Sequence, residues 1–403
     1  MKRFFGAVFL IAGTTIGVGM LGMPTVTGFS GFFPSLLVFF LCWGVMLTTA
    51  LFFVEIISHF HKGENFITMA GATLGMGGRV VSWFVYIFLL YALMIAYISA
   101  IAPLFQEALQ VVFQRTLPLW ACQFGLPLLF GGFIYFGTQG VDIINRALMI
   151  GLAFAYILLV MFLPQHVVSS HLNYVDFRPV LYGIPVIITA FGYHIIIPSL
   201  YHYLGHDTRR LKIAVVVGGL VALILNLFWQ FLVLGILPLQ GENSLFAAWQ
   251  ASRTVTPYLE AVVTAPLLKV GVYFFSLFAI ITSFLGVSLS LSDFLTDGLK
   301  LKRTWEGRAF AMMLTFIPPL LFVYSTRNIF LGALNYAGAF VAILLIFIPS
   351  CMILFGRRFP HRLPIRIAAC VTLLFSVGVI VVNLCIRWGV FDPLLQSIGS
   401  RAV

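Results

Sequence analysis

The chain has 403 residues, of which 61% are hydrophobic and 9% charged. A soluble domain is about 45–50% apolar and about 25% charged, so a soluble enzyme, a nucleic-acid binder and a disordered chain are excluded. The net charge of +11 comes from Lys and Arg in loops that face an anionic membrane surface.

A membrane-spanning helix needs roughly 20 apolar residues. Eleven such runs occur, at about 5–27, 32–57, 81–106, 119–137, 147–164, 180–203, 212–236, 268–292, 309–325, 329–355 and 366–386. Strands of a membrane barrel would alternate over about 10 residues. These runs are continuous, so the sequence predicts an all-α membrane protein with eleven transmembrane helices and no soluble domain. The first run follows Lys2 and Arg3 and lacks an A-x-A-type cleavage pattern, so it reads as retained rather than as a signal peptide.

That first run contains Gly13-Thr-Thr-Ile-Gly17-Val-Gly19-Met-Leu-Gly22-Met-Pro24. Four glycines and a proline in twelve residues weaken a helix, and a break is predicted here. The half that ends at Thr14 and Thr15 leaves free carbonyls. The half that begins near Gly17 offers free N–H groups of Gly17, Val18 and Gly19, with the positive end of the helix dipole behind them.

Residues 58–80 then read as a long loop holding the pair His59 and His61, with Glu55 and Glu64 as the acidic neighbours. The third span carries Tyr91 and Tyr97, and the sixth reads Ala190-Phe-Gly192-Tyr-His194-Ile-Ile-Ile-Pro198-Ser199. Glycine, polar groups and proline again fall near mid-span, five spans after the first break. Matched interruptions in two halves are a sequence pointer to a transporter site built from inverted repeats. Close helix packing through small residues is the structural alternative. Tyr91, Tyr97, Phe191, Tyr193 and His194 are candidates for an aromatic slot, each competing with plain core packing. His194, midway along its span, is the clearest intramembrane titratable residue, and two roles fit it. It could carry a proton or bond a substrate hydroxyl, or it could be a neutral ring bonded to a backbone carbonyl. Glu55, Glu107 and Asp293 fall near span ends. The loop 237–267 contains Asn243-Ser-Leu-Phe-Ala-Ala-Trp249, either a short surface helix acting as a lid or a plain connection.

None of the five cysteines forms a C-x-x-C pair, so buried small residues are expected, with no disulfide, metal or cofactor. With the N-terminus inside, sixteen of the 23 Lys and Arg fall on one side. This predicts a cytoplasmic N-terminus and, after eleven spans, a C-terminus outside. A membrane-embedded enzyme would need a convergent catalytic set, and a passive channel a charged ring or filter loop. Neither pattern occurs.

Three segments carry a family resemblance. Ala12–Pro24, Phe191–Leu200 and Thr282-Ser-Phe-Leu-Gly-Val-Ser-Leu-Ser-Leu-Ser-Asp-Phe294 resemble the first, sixth and eighth helices of bacterial aromatic amino acid permeases, with tyrosine-specific members most similar. The resemblance covers nearly the whole chain. It implies a single transporter domain over 1–403 in the inner membrane. Inverted five-helix halves would lie at about 5–164 and 180–355, with an extra helix at 366–386. Helices 1 and 6 are broken in this fold. It implies carbonyls near Ala190 and Phe191 for the substrate ammonium, and a Tyr97 hydroxyl able to bond the carboxylate. Thr282 and Ser283, with carbonyls near Gly13 and Ile16, resemble a sodium site of this fold. Some proton-coupled relatives place a fifth-helix lysine there, and Met149–Ile157 has none. The coupling ion is therefore left as H+ or Na+. Tyrosine is favoured as substrate, tryptophan is the other option, and a sodium-coupled symporter of another neutral amino acid is the alternative function.

Overall fold

The structure is a computed structural model that describes residues 2–60, 66–114, 116–135, 138–302, 304–326, 328–356 and 363–400. His61, Lys62, Glu64, Arg115, Arg303, Arg327, Arg357, Arg358, Arg362 and Arg401, used above for the histidine pair and the charge count, lie outside those residues. The helices in chain order are α1 Lys2–Thr15, α2 Val18–Thr27, α3 Phe32–Ile57, α4 Phe66–Phe113, α5 Leu119–Tyr135 and α6 Thr138–Phe162. They continue with α7 Ser169–Leu172, α8 Ile184–Ala190, α9 Ile197–Tyr203, α10 Thr208–Ile236, α11 Leu245–Gln250 and α12 Thr256–Val262. The last six are α13 Pro266–Gly298, α14 Trp305–Ser325, α15 Phe330–Val341, α16 Ile348–Phe355, α17 Leu363–Arg387 and α18 Asp392–Gly399.

Among the described residues nine helices are long and apolar enough to cross a membrane, and the bent pair α1–α2 makes a tenth. The expected span 119–137 falls on α5, which has 17 residues. Every backbone polar group in the hydrocarbon must be satisfied within the chain, which is why helices carry these apolar runs. Their outward faces expose large apolar side chains such as Phe9, Leu128, Ile150, Met161 and Leu374, as a lipid-facing surface requires.

Two boundaries differ from expectation. The expected loop 58–80 is helical from Phe66, and α4 is interrupted only at Gly75, with φ +74. Gly75, Gly77 and Gly78 read as a loop, yet only Gly75 leaves helical space. The tenth span runs through a π-helical turn at Ala342–Phe347. Pro349 at the start of α16 has no N–H, and the ladder widens just before it. Of the two readings of the segment after Asn243, a short helix is present as α11, capped by the Ser244 hydroxyl accepting from the Ala247 N–H at 3.1 Å. Of the cysteines, Cys42, Cys122 and Cys351 are buried, but Cys370 is exposed on α17. A thiol is apolar enough to face lipid, so burial was the wrong expectation there.

The chain forms two compact units, each assembled from separate stretches of sequence. Unit 1 comprises Met1–Phe88, Asn173–Phe231 and Asn335–Val403; unit 2 comprises Leu89–Leu172 and Leu232–Leu334. In unit 1, α2 packs on α8 and α3, α16 and α17 surround them, around fully buried Phe29, Phe39, Phe191, Tyr193 and Trp229. The turn between α2 and α3 depends on Gly31 (φ +82, ψ 176), a conformation essentially confined to glycine. The turn is fastened to residues 174–176, where the Asp176 N–H donates to the Ser30 carbonyl at 3.0 Å. In unit 2, α13 lies along α6 and α14, and Gly151 and Gly271 give way to Phe278 and Leu158 across the α6–α13 contact.

Candidate functional site

The first span breaks where its glycines cluster. Helix α1 stops at Thr15, α2 begins at Val18, and the two axes bend by 49°. The turn closes through the Ile16 N–H donating to the Gly13 carbonyl at 3.2 Å. The Thr14 and Thr15 hydroxyls donate back to the Ile11 and Ala12 carbonyls, each at 2.7 Å. These bonds satisfy α1 up to Gly13 and leave the Thr14 and Thr15 carbonyls at its end. On the other side Gly17 is the extended N-cap residue, and glycine has no side chain to cap α2. The first-turn N–H groups of Val18, Gly19 and Met20 have no intrahelical acceptor; Leu21 is the first to regain one, the Gly17 carbonyl at 3.2 Å.

The sixth span breaks in the same unit. Helix α8 ends at Ala190, a 3-10 turn covers Tyr193–Ile196, and α9 starts again with Pro198 in its first turn. The Phe191 N–H reaches back to Ile187 and Ile188, and the Gly192 N–H to Thr189. The carbonyls of Ala190 and Phe191 follow at the turn. The two breaks meet at Gly19. A Cβ there would lie 3.1 Å from both Cα and Cβ of Ala190 and 3.2 Å from its nitrogen. Glycine lets the donor end of α2 approach the acceptor end of α8 this closely without a shift of either. A region of positive potential, the start of α2, thus adjoins one of negative potential, the end of α8.

The aromatic candidates of the sixth span are enclosed in unit 1. Phe191 meets Phe39 edge to face at 6.4 Å, and Tyr193 stacks on His194 at 5.4 Å. The Tyr193 hydroxyl is buried without a partner against Gly219 of α10, where a Cβ would lie 2.9 Å from it. His194 is 1% exposed. Its Nε2 lies 3.0 Å from the Thr49 hydroxyl, which itself donates to the Val45 and Met46 carbonyls. Nε2–H is therefore the donor to Thr49, and Nδ1 is buried without a partner. The Thr49 hydroxyl and the Met46 backbone carbonyl are both hydrogen-bonding neighbours of this ring.

The remaining predicted residues lie in unit 2. Tyr97 is 7% exposed, and its hydroxyl has Ser283 of α13 as a hydrogen-bonding neighbour. The structure thus joins a residue assigned to substrate with one assigned to the ion. Thr282 turns its hydroxyl back to the Phe278 carbonyl at 2.8 Å. Tyr91 donates to the Leu314 carbonyl at 2.8 Å, so its hydroxyl is already engaged.

Reading only ionisable groups missed the polar residues that touch the break. Asn226 and Gln230 of α10 are both fully buried, and both reach threonines of the broken first span. Thr49 was missed likewise. These amides add neutral polar groups to the single intramembrane histidine singled out from the sequence. Two amides four residues apart in an apolar run were the available signal. At the span ends, Glu55 of α3 forms an ion pair with Lys212 of α10 at 2.6 Å.

Glu260 of α12 is a further titratable group in unit 2. Burial, with Glu107 adding and Lys269 opposing, pushes its carboxyl up to about 8 from 4.5. A carboxyl raised in the folded state stabilises fully below about pH 4.5, and that contribution is lost as pH rises through about 8. Thermal unfolding in detergent should therefore show the wild type losing stability across that window, and Glu260→Gln, which cannot ionise, losing less. Equal losses would contradict the assignment.

Comparison with known proteins gives the family. The model of the tryptophan/tyrosine permease family matches residues 1–387. The chain is 33% identical over 374 residues to "Tyrosine-specific transport system 1" of Haemophilus influenzae, covering 91% of this chain and 92% of the relative. It is 30% identical over 376 residues to the "Tryptophan-specific transport protein" of the same organism, covering 88% of each. The solved structure of MhsT in complex with L-phenylalanine superposes with a TM-score of 0.64 at 11% identity, over 94% of this chain and 97% of that one. That likeness is one of fold alone. The family and these relatives are transport proteins, not enzymes, and the chain belongs to the tryptophan/tyrosine permease family.

Proposed function

We propose that this chain imports an aromatic amino acid, tyrosine in preference to tryptophan, across the cytoplasmic membrane by proton symport with alternating access. The observation that carries the reading is the contact of Gly19 with Ala190. It sets uncapped N–H groups of Val18, Gly19 and Met20 beside the end of α8, and a zwitterion presents the complementary pair of charges. The α-carboxylate takes the N–H groups of Gly17, Val18 and Gly19. The ammonium takes carbonyls of Thr14, Thr15, Ala190 and Phe191. Tyr97 adds a hydroxyl for the carboxylate, and Phe191, Tyr193 and His194 shape the aromatic side. Relatives named for tyrosine and tryptophan transport support the substrate class.

Matched breaks five spans apart support inverted halves at 5–164 and 180–355 with an extra helix at 366–386. The bias of sixteen basic residues against seven supports a cytoplasmic N-terminus and an outer C-terminus. His194, with a buried Nδ1 lacking a partner, is the intramembrane group available to a proton. The sodium alternative rests on Gly13, Ile16, Thr282 and Ser283. Proteoliposomes given one gradient at a time separate the two. Accumulation of labelled tyrosine on a proton gradient alone is expected, and accumulation on a sodium gradient alone would replace proton symport.

A further inference from the structure

We propose that Asn226 and Gln230 of α10 are positioning residues that splint the broken first span, holding its two half-helices in the mutual orientation that binds the substrate. This rests on the zwitterion reading above and adds residues to it. Asn226 and Gln230 stand four apart, on one face of α10. Each reaches a different half of the break. The Asn226 amide lies 3.5 Å from the hydroxyl of Thr15, the last residue of α1. The Gln230 amide donates to the hydroxyl of Thr27, the last residue of α2.

The donor and acceptor count is what makes this a splint. Thr15 and Thr27 have already donated their hydroxyl protons, to the Ala12 carbonyl at 2.7 Å and the Met23 carbonyl at 2.8 Å. Each can then only accept, and an amide NH2 is the donor each receives. The Asn226 NH2 also donates to the Ala222 carbonyl at 2.8 Å, which fixes the amide's orientation. Between Thr15 and Val18 the backbone ladder is interrupted, so the ladder does not set the 49° bend. One continuous helix, α10, bonds a residue in each half, Thr15 beside the gap and Thr27 at the far end of α2. Residues 208–231 of α10 belong to the same compact unit as α1 and α2. Both amide oxygens are buried without a partner, and that is costly unless the NH2 groups are needed where they are.

The test uses the full chain in proteoliposomes and follows tyrosine uptake. Gln230→Leu should raise KM about tenfold while maximal rate per folded molecule stays within about twofold, because binding geometry is lost and the transport cycle is kept. Thr27→Val should give the same shift, and the double variant no more than either alone. Thr27→Ser, which keeps the hydroxyl, should behave as the wild type. Unchanged KM in Gln230→Leu, additive shifts in the double variant, or a loss confined to the amount of folded protein would each overturn the splint. Failure of the zwitterion reading is distinguishable, since Gly19 variants would then transport normally whatever the amides do. Asn226→Leu with Thr15→Val repeats the cycle on the other half-helix.

Discussion

Gly19→Val abolishes uptake while leaving the protein folded in the membrane. The added Cβ lies 3.1 Å from Ala190 Cα, and the two further methyl groups of valine have to fit beyond it. The helices can separate at a packing cost of about 1–3 kcal/mol, which a domain of this size tolerates. The site cannot follow, because hydrogen bonds weaken steeply outside about 2.7–3.2 Å. Losing two charge-assisted bonds, each worth about 1.5–3 kcal/mol, lowers affinity at least about hundredfold. Gly19→Ala is the graded control, needing a shift of a few tenths of an ångström, and should retain part of the activity. Normal uptake by Gly19→Val in membranes would remove the break from the binding site.

Gly31→Ala has the opposite signature, with loss of the folded protein itself. The backbone there has φ +82 and ψ 176, a region costing about 1–3 kcal/mol for any other residue. A Cβ would also lie far inside van der Waals contact with the Tyr174 carbonyl oxygen, at 1.9 Å. That carbonyl belongs to backbone held beside the turn by the Asp176–Ser30 bond, so neither side yields cheaply. Together these give about 4 kcal/mol or more of destabilisation. The measurement is the fraction recovered monodisperse after detergent extraction, which should collapse for Gly31→Ala and stay near wild type for Gly19→Val. Similar recoveries for the two would contradict the distinction between a folding glycine and a binding glycine.

Much of the architecture was legible because membrane physics is strict. Apolar runs of spanning length had to be helices, and the glycines around Gly17 and the Gly192–Pro198 stretch marked the two breaks to within a few residues. What could not be read depends on contacts distant in sequence. His194 meets Thr49 across 145 residues, and Asn226 meets Thr15 across 211. Local periodicity carries no trace of such pairings. The helix from Phe66 was misread because clustered glycines are a loop signal in water, whereas membrane helices retain them. The π turn before Pro349 was not legible, since a proline predicts an interruption and not its form.

The central claim is that this permease recognises its substrate through main-chain groups that hold both charged ends of a zwitterion. It is tested most directly by competition against labelled tyrosine uptake in proteoliposomes. The competitors are tyrosine, tyramine, which lacks the carboxylate, and 3-(4-hydroxyphenyl)propionate, which lacks the ammonium. The account predicts that each single-ended analogue competes at least about hundredfold more weakly than tyrosine, since each forfeits charge-assisted bonds to one half of the break. Competition by either analogue within a fewfold of tyrosine itself would contradict it.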